Sequence, residues 1–286
     1  MSDPAGPTGI VGHAFVRAPI APLLAAPRAS AEQRSQRLAG HPLYVLGREG
    51  EWVRVRGLDD LEGWMHAGFL MRVLDDDVVV PAADGQDFVL TYVPRVSLGV
   101  VVRSERHGVR ALPLGAWLDL DEEIEQGQAV GLDRLEDVFP MEPGAIAQSA
   151  TEWFEGASYL WGGVTPWGCD CSGFVQSLYG LHGVTLPRDA REQWGAGDPV
   201  ARADARPADL LFFGEGEVPT HVGIVLAGNR LAHVALGRGG YAVEWLGDVE
   251  DPFVRMLDAT CLGARRVVFD DVGTGADDED GEDEAT

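Results

Sequence analysis

Three cysteines among 286 residues, Cys169, Cys171 and Cys261, are too few and too odd in number to staple a fold. Two of them form a C-x-C pair, a poor disulfide framework, which fits a reducing compartment. Bases are also scarce: 22 Lys and Arg stand against 46 Asp and Glu, for a formal net charge of −24. Neutralising phosphates takes clustered cations, so no nucleic-acid partner is expected. No window approaches the roughly 18 consecutive apolar residues of a membrane span, so no membrane span is expected. The opening MSDPAGPTGI lacks the basic and apolar regions of a secretory signal, and the expected location is cytoplasmic.

What is present is a chain able to fold. It is 45% hydrophobic with 8 Trp and 10 Phe, and its length suits two or three domains. The acids are unevenly spread. Residues 270–286 hold nine acids and no base, which leaves about −15 for the remainder, and 271–286 is expected to be a disordered acidic tail. Residues 1–75 read as short strands. HPLYVLGREGEWVRVRGLDDLEGWMHAGFL carries apolar alternation punctuated by Gly47, Gly50, Gly57 and Gly63, the texture of a small β-barrel. Residues 76–139 repeat that texture more weakly. FVLTYVPRVSLGVVVRSE and ALPLGAWLDL are strand-like, and EEIEQGQAV and GLDRLEDVF read as turn or short helical pieces, giving a second, divergent β domain.

Residues 140–270 differ. Ile146, Ala150, Trp153, Phe154 and Ala157 recur at helical spacing, as do Phe174, Val175, Leu178 and Leu181. The strand-like runs DLLFF, HVGIVLA, RLAHVAL, YAVEWL and RRVVF follow. Helices followed by a run of antiparallel strands describe an α+β domain.

The chemistry concentrates in YLWGGVTPWGCDCSGFVQSLYG. Asp170 is a favoured N-cap for a helix starting at Cys171. A cysteine there meets unpaired N–H groups and the positive end of the helix dipole, both of which favour the nucleophilic thiolate. Ser172 and Gly173 leave room for a substrate carbonyl, and their N–H groups can hold an oxyanion. The competing reading, a buried inert cysteine, is outweighed by the helix start, the flanking glycines and the histidines downstream. A thiol at neutral pH also needs a base and a group to orient it. His221 and His233 lie in consecutive strand-like runs joined near Gly228-Asn229. A two-residue loop would put them on opposite faces of the sheet, and an odd-length loop on the same face. Their use as a pair requires the odd count. His13, His41, His66 and His107 lie in the β-rich half, and His182 closes the Cys171 helix, where a cation suits the dipole. A zinc site from Cys169, Cys171, His221 and His233 competes weakly, because zinc-binding cysteine pairs usually have two or more residues between them. No metal or organic cofactor is expected.

At these residues the sequence resembles the NlpC-type peptidases, a papain-like group. YLWGG, DCSGFV, LPRDAREQ, PADLLFF, HVGIVL and LAHVAL follow in that family's order over about residues 143–268. REGEWVRVRGLDDLEGWMHAGFL, with Trp52, Glu62, Gly63 and Trp64, is similar to a bacterial SH3-like domain. The resemblance implies a papain-like catalytic domain at 140–270, preceded by one or two small SH3-like β-barrels. That is the arrangement of γ-D-glutamyl-L-diamino-acid endopeptidases of murein peptide recycling, which need a free N-terminal L-alanine. It further implies Cys171 as nucleophile, His221 as general base and His233 as the residue orienting it. Tyr159, whose hydroxyl approaches the nucleophile in this family, is placed with Asp170, Ser172, Asp189, Ala190 and Glu62 as substrate-binding, with Asp189 and Glu62 as carboxylates for the free ammonium. The implied partner is a murein peptide. The chain departs from the family at Ala190, where Ser is usual, at Pro207-Ala208-Asp209 in place of Pro-Gly-Asp, and at the extra Cys169. Tyr92 and Trp117 are candidates for the second β domain's pocket residue. An amidase or acyltransferase, or a wall-binding module without activity, are the alternative functions.

Overall fold

Alternation of apolar and polar side chains builds the first region. In the computed structural model, which describes residues 9–72 and 92–268, seven antiparallel strands form one sheet. They are β1 (Gly12–Val16), β2 (Ile20–Leu24), β3 (Gln33–Leu38), β4 (Pro42–Glu49), β5 (Trp52–Arg56), β6 (Glu62–His66) and β7 (Leu70–Arg72), in the order β3-β2-β6-β5-β4-β1-β7. Val53 and Val55 of β5 and Met65 of β6 point inward and meet Val16, Ala21, Leu23 and Leu43. Their strand neighbours Trp52, Arg54, Arg56, Trp64 and His66 point the other way, as a side-chain period of two requires. The expected boundary at 75/76 and the expected tail at 271–286 fall outside the described residues.

The second region is a smaller sheet of β8 (Arg95–Ser104), β9 (Gly108–Leu112), β10 (Trp117–Leu118) and β11 (Glu123–Gly131), in which the other three strands all pair with β8. Here the structure corrects the sequence reading: EIEQGQAVG is a nine-residue strand, not a turn or helical piece. The signal was hidden because most of β11 is exposed and therefore carries no apolar alternation. Gly127 also interrupts it, with a φ of 81° at a shift in register. A Cβ at that position would sit 2.1 Å from the carbonyl oxygen of Gly99. LDRLED is a short 3₁₀ turn.

The two sheets share a core. Leu38 and Ala39 pack with Val100, Val102, Leu112, Ala116 and Leu118, and with Val164 of the third region. Trp117 N–H donates to the carbonyl of Ala39 at 2.8 Å, and His41 Nε2 bonds the carbonyl of Gly115 at 2.9 Å.

The third region contains α1 (Pro143–Glu152), β12 (Val164–Thr165), β13 (Gly168–Cys169), α2 (Cys171–Leu181), α3 (Ala190–Gln193), β14 (Asp198–Val200), β15 (Leu210–Glu215), β16 (Val218–Leu226), β17 (Arg230–Ala235), β18 (Gly240–Trp245), α4 (Pro252–Ala259) and β19 (Cys261–Arg266). Its main sheet has the order β14-β19-β15-β16-β17-β18. Both faces of that sheet are covered. Leu210, Phe212, Val222, Ile224 and Val234 pack with Phe174, Val175 and Leu178 of α2. Leu211, Phe213, Val225, Leu231 and Ala264 pack with Leu257 of α4. This double coverage explains why DLLFF and HVGIVLA are nearly unbroken apolar runs instead of alternating ones. His182, read from the sequence as a dipole-stabilised cation, is a buried C-cap whose Nδ1 lies 2.6 Å from the Pro140 carbonyl. Burial lowers its pKa, so the neutral ring is favoured.

His41 predicts an acid limb to stability. Burial lowers its pKa from 6.5 to about 4. As pH falls through 6.5, the unfolded chain takes up a proton that folded His41 refuses until about 4, so stability falls across that window. The melting temperature should drop between pH 6.5 and 4, and His41→Gln should flatten part of that drop. An unchanged slope in the variant would contradict the assignment.

Candidate active site

The site begins with a helix cap. Asp170 accepts from the Gly173 N–H at 2.8 Å and, through its other oxygen, from the Gly162 N–H at 2.7 Å. One carboxylate therefore ties the start of α2 to the 162–163 turn. The helix can approach that turn because residue 173 has no side chain: a Cβ there would lie 2.0 Å from the Gly163 carbonyl oxygen.

Arg188 closes this arrangement from behind. It is 2% exposed and donates to Asp170 at 2.7 Å, the Ser172 hydroxyl at 2.9 Å, the Gly163 carbonyl at 3.3 Å and the Ser35 hydroxyl at 3.2 Å. Asp170 and Ser172 are expected from the sequence to touch substrate. The structure instead turns both side chains inward, where Arg188 and the cap engage them. Their side chains hold the start of α2, and with it Cys171, in place.

Cys171 is itself buried, with the backbone N–H groups of Val222 and Ser172 against its sulfur. Burial pushes its thiol up to about 11, and the Asp170 charge adds to this against the pull of those N–H groups and Arg188. The sequence reading of a helix terminus that favours thiolate is thus outweighed at rest by desolvation. Tyr159 is half-buried. Burial first, then the charges of Cys171 and Asp170, push its phenol up to about 12, which places the hydroxyl within electrostatic reach of the thiol. Cys169 is buried and free, and burial raises its pKa.

Val222 follows His221 on β16. Leu226 pairs with Arg230 and Ile224 with Ala232, so the hairpin loop is three residues, 227–229, and His221 and His233 share a face. Their rings meet with His221 Nε2 2.9 Å from His233 Nδ1. The far nitrogen of His233, Nε2, lies 3.3 Å from Glu244 Oε1. Arg238 donates twice to Glu244, at 2.6 and 2.9 Å, and once to Asp251 at 2.6 Å. Burial, then His233, push His221 down to about 3. Both shifts favour the uncharged forms, thiol and imidazole.

The remaining expected positions separate. Asp189 is exposed and its carboxylate makes no hydrogen bond among the described residues. Ala190 is buried and offers only a methyl. No contact among the described residues takes Glu62 to α2. Its carboxylate is held by Arg54 at 2.7 Å on the neighbouring strand, which corrects its placement in the pocket. The first-region carboxylate that stands at the 159–163 loop is Glu32, which accepts from Trp161 Nε1 at 3.2 Å, beside Gln33, whose amide donates to the Trp161 carbonyl at 2.9 Å. Trp117 packs against Ala39 and His41, and no described contact takes it or Tyr92 to the thiol. Sequence reasoning missed Glu32, Arg188 and Glu244. Only Glu244 left a signal, as the one acid in the strand run YAVEWL.

A capped helix presents a cysteine to an antiparallel sheet that carries two bonded histidines, an arrangement that can support acyl transfer through a thiol. The comparisons specify it further. Residues 156–246 match the NlpC/P60 family, and residues 16–71 match the bacterial SH3 domain. The chain thus carries an NlpC/P60 domain with a bacterial SH3 domain before it. It is 42% identical over 111 residues to a gamma-D-glutamyl-L-lysine dipeptidyl-peptidase of Bacillus subtilis (strain 168), a stretch covering 37% of this chain and 36% of that protein. The match thus spans about a third of that relative's length. A protein of the same name from Bacillus cereus (strain ATCC 10987 / NRS 248) is 26% identical over 250 residues, covering 74% of this chain and 73% of that one. The crystal structure of an NlpC/P60 family protein from Bacillus cereus ATCC 10987 has the same fold, with a TM-score of 0.70 at 20% identity over 90% of this chain and 100% of that one.

Arg188 gives the prediction of this section. Replacing it with Met leaves Asp170 buried and uncompensated, a loss of about 3–5 kcal/mol for a broken buried pair. Urea denaturation should show a loss of that size, and a loss below about 1 kcal/mol would contradict the clamp.

Proposed function

We propose that the chain is a cysteine endopeptidase that hydrolyses the bond between γ-D-glutamate and a diamino acid in murein peptides with a free N-terminal L-alanine. The observation carrying this reading is the thiol of Cys171 at the capped start of α2, against the residue that follows His221, with His233 bonded to His221. The names of the two relatives, both gamma-D-glutamyl-L-lysine dipeptidyl-peptidases, supply the substrate class.

In this reading Nε2 of His221 is engaged by His233, which leaves Nδ1 to receive the thiol proton. Sulfur attacks the γ-glutamyl carbonyl as that proton leaves, and N–H groups at the helix start hold the oxyanion. His221 then protonates the departing amine as the C–N bond breaks. Water, deprotonated by the same imidazole, releases the acyl group. A buried neutral pair suits this sequence, because charge separates only once substrate is present. Asp189, with no hydrogen bond among the described residues, and Glu32, on the SH3 side of the 159–163 loop, are the carboxylates proposed for the free ammonium. Ala190 supplies no hydroxyl there, so these carboxylates carry more of the recognition. The same reading places the enzyme in the cytoplasm, recycling imported peptides, in keeping with its three free cysteines.

Cys171→Ala should abolish hydrolysis of L-Ala-γ-D-Glu-L-Lys while its circular dichroism spectrum stays that of the parent, and turnover by this variant would remove the nucleophile assignment. N-acetylation of the same tripeptide should lower kcat/KM at least about thirtyfold, the lower end for a lost charged contact. Equal cleavage of both peptides would remove the ammonium reading.

A further inference from the structure

The two histidines do not end the chain of hydrogen bonds. His233 is fully buried and boxed by His221 from β16, Glu244 from β18 and the ring of Phe253 from α4, whose centroid is 5.8 Å away. Arg238 lies behind Glu244, stacked 4.6 Å over Phe253, and Asp251 lies behind Arg238. These are the charged and titratable groups that face His233 through its hydrogen bonds.

We propose that Glu244 is a positioning residue that fixes the order of protons along His233 and His221, and so decides which nitrogen of His221 is free for the thiol. The inference rests on the reading of Cys171 as nucleophile and His221 as base, and it assigns a role to a residue outside that pair. The bond from His233, then two N–H bonds from Arg238, hold Glu244 ionised against its burial, with its pKa down at about 2. An ionised carboxylate only accepts. Nε2 of His233 must therefore carry hydrogen, since its lone pair would otherwise face an oxygen lone pair. With a single ring hydrogen, placed on Nε2, His233 presents a lone pair at Nδ1. The 2.9 Å contact places the next hydrogen on Nε2 of His221. That leaves the lone pair of His221 on Nδ1, the state a base needs to take a proton.

Glu244 also supplies charge. When His221 accepts the thiol proton, the imidazolium is stabilised through the polarised His233 by the carboxylate at the end of the chain. Arg238 partly neutralises that carboxylate. The two residues should therefore act in opposite directions on Cys171, whereas a purely structural network would weaken alike when either is removed.

The test uses two measurements on the full chain. The first is ¹⁵N NMR of the unmodified protein at neutral pH, which should show His233 protonated at Nε2 with Nδ1 accepting. The opposite tautomer overturns the proposal without any variant. The second is the pH profile of Cys171 alkylation by iodoacetamide, read by peptide mass spectrometry so that Cys169 and Cys261 are counted separately. Glu244→Gln keeps the shape but loses the charge. It should move the midpoint upward and slow alkylation at pH 7 about tenfold, the equivalent of one pKa unit. Arg238→Met should move the midpoint downward. An unchanged profile in Glu244→Gln, or shifts of the same sign in both variants, overturns the proposal. If Cys171 in the unmodified protein shows no histidine-linked alkylation, the proposed function fails instead, and the tautomer result stands apart from it.

Discussion

A buried guanidinium ties the NlpC/P60 domain to the SH3 region of this molecule. Arg188 reaches the helix cap, the turn that the helix packs on, and a hydroxyl of β3 in another domain. Each contact is charge-assisted in a dry environment, where such bonds are stronger than in water. The arrangement also explains the composition of β3. QRSQRL has one apolar residue in six, yet Ser35, Gln36 and Arg37 are buried, because that edge strand docks by polar contacts. Gln36 accepts from the Val164 N–H at 3.2 Å, and Arg37 pairs at 2.7 Å with Asp59, which also accepts from Gln176 of α2. Polar seams fix orientation more strictly than apolar ones, since a slipped register leaves buried charges unpaired. The SH3 region therefore forms one wall of the site, with Glu32 at the Trp161 loop.

Desolvation dominates the electrostatics that follow. The same burial that fixes Cys171 raises its pKa and lowers that of His221. The N–H groups at the helix start pull the other way and lower the cost of forming a thiolate. The carboxylate behind His233 works toward the same end from the opposite side of the sheet's hydrogen-bond chain.

Much of this was legible in the sequence where periodicity and local chemistry coincide. The helix at Cys171 follows from Asp170 and the spacing of Phe174, Val175 and Leu178, and the cap is present. The shared face of His221 and His233 follows from an odd loop count, which the 227–229 turn has. What stayed hidden depends on contacts between segments far apart in the chain. Asp170 and Ser172 look like pocket residues until Arg188, 18 and 16 positions away, is seen to engage them. Glu62 looks free until Arg54 is found across the strand pair. β11 shows no alternation because neither of its faces is well buried.

The claim on which everything else turns is that the sulfur of Cys171 becomes acylated. Acid-quenching a reaction with L-Ala-γ-D-Glu-L-Lys during turnover and mapping the protein by mass spectrometry tests it most directly. The account predicts an L-Ala-γ-D-Glu acyl mass on the peptide containing Cys171, localised to that residue by fragmentation. Turnover with the adduct on Cys169 or Cys261, or with no thioester on any cysteine, would contradict it.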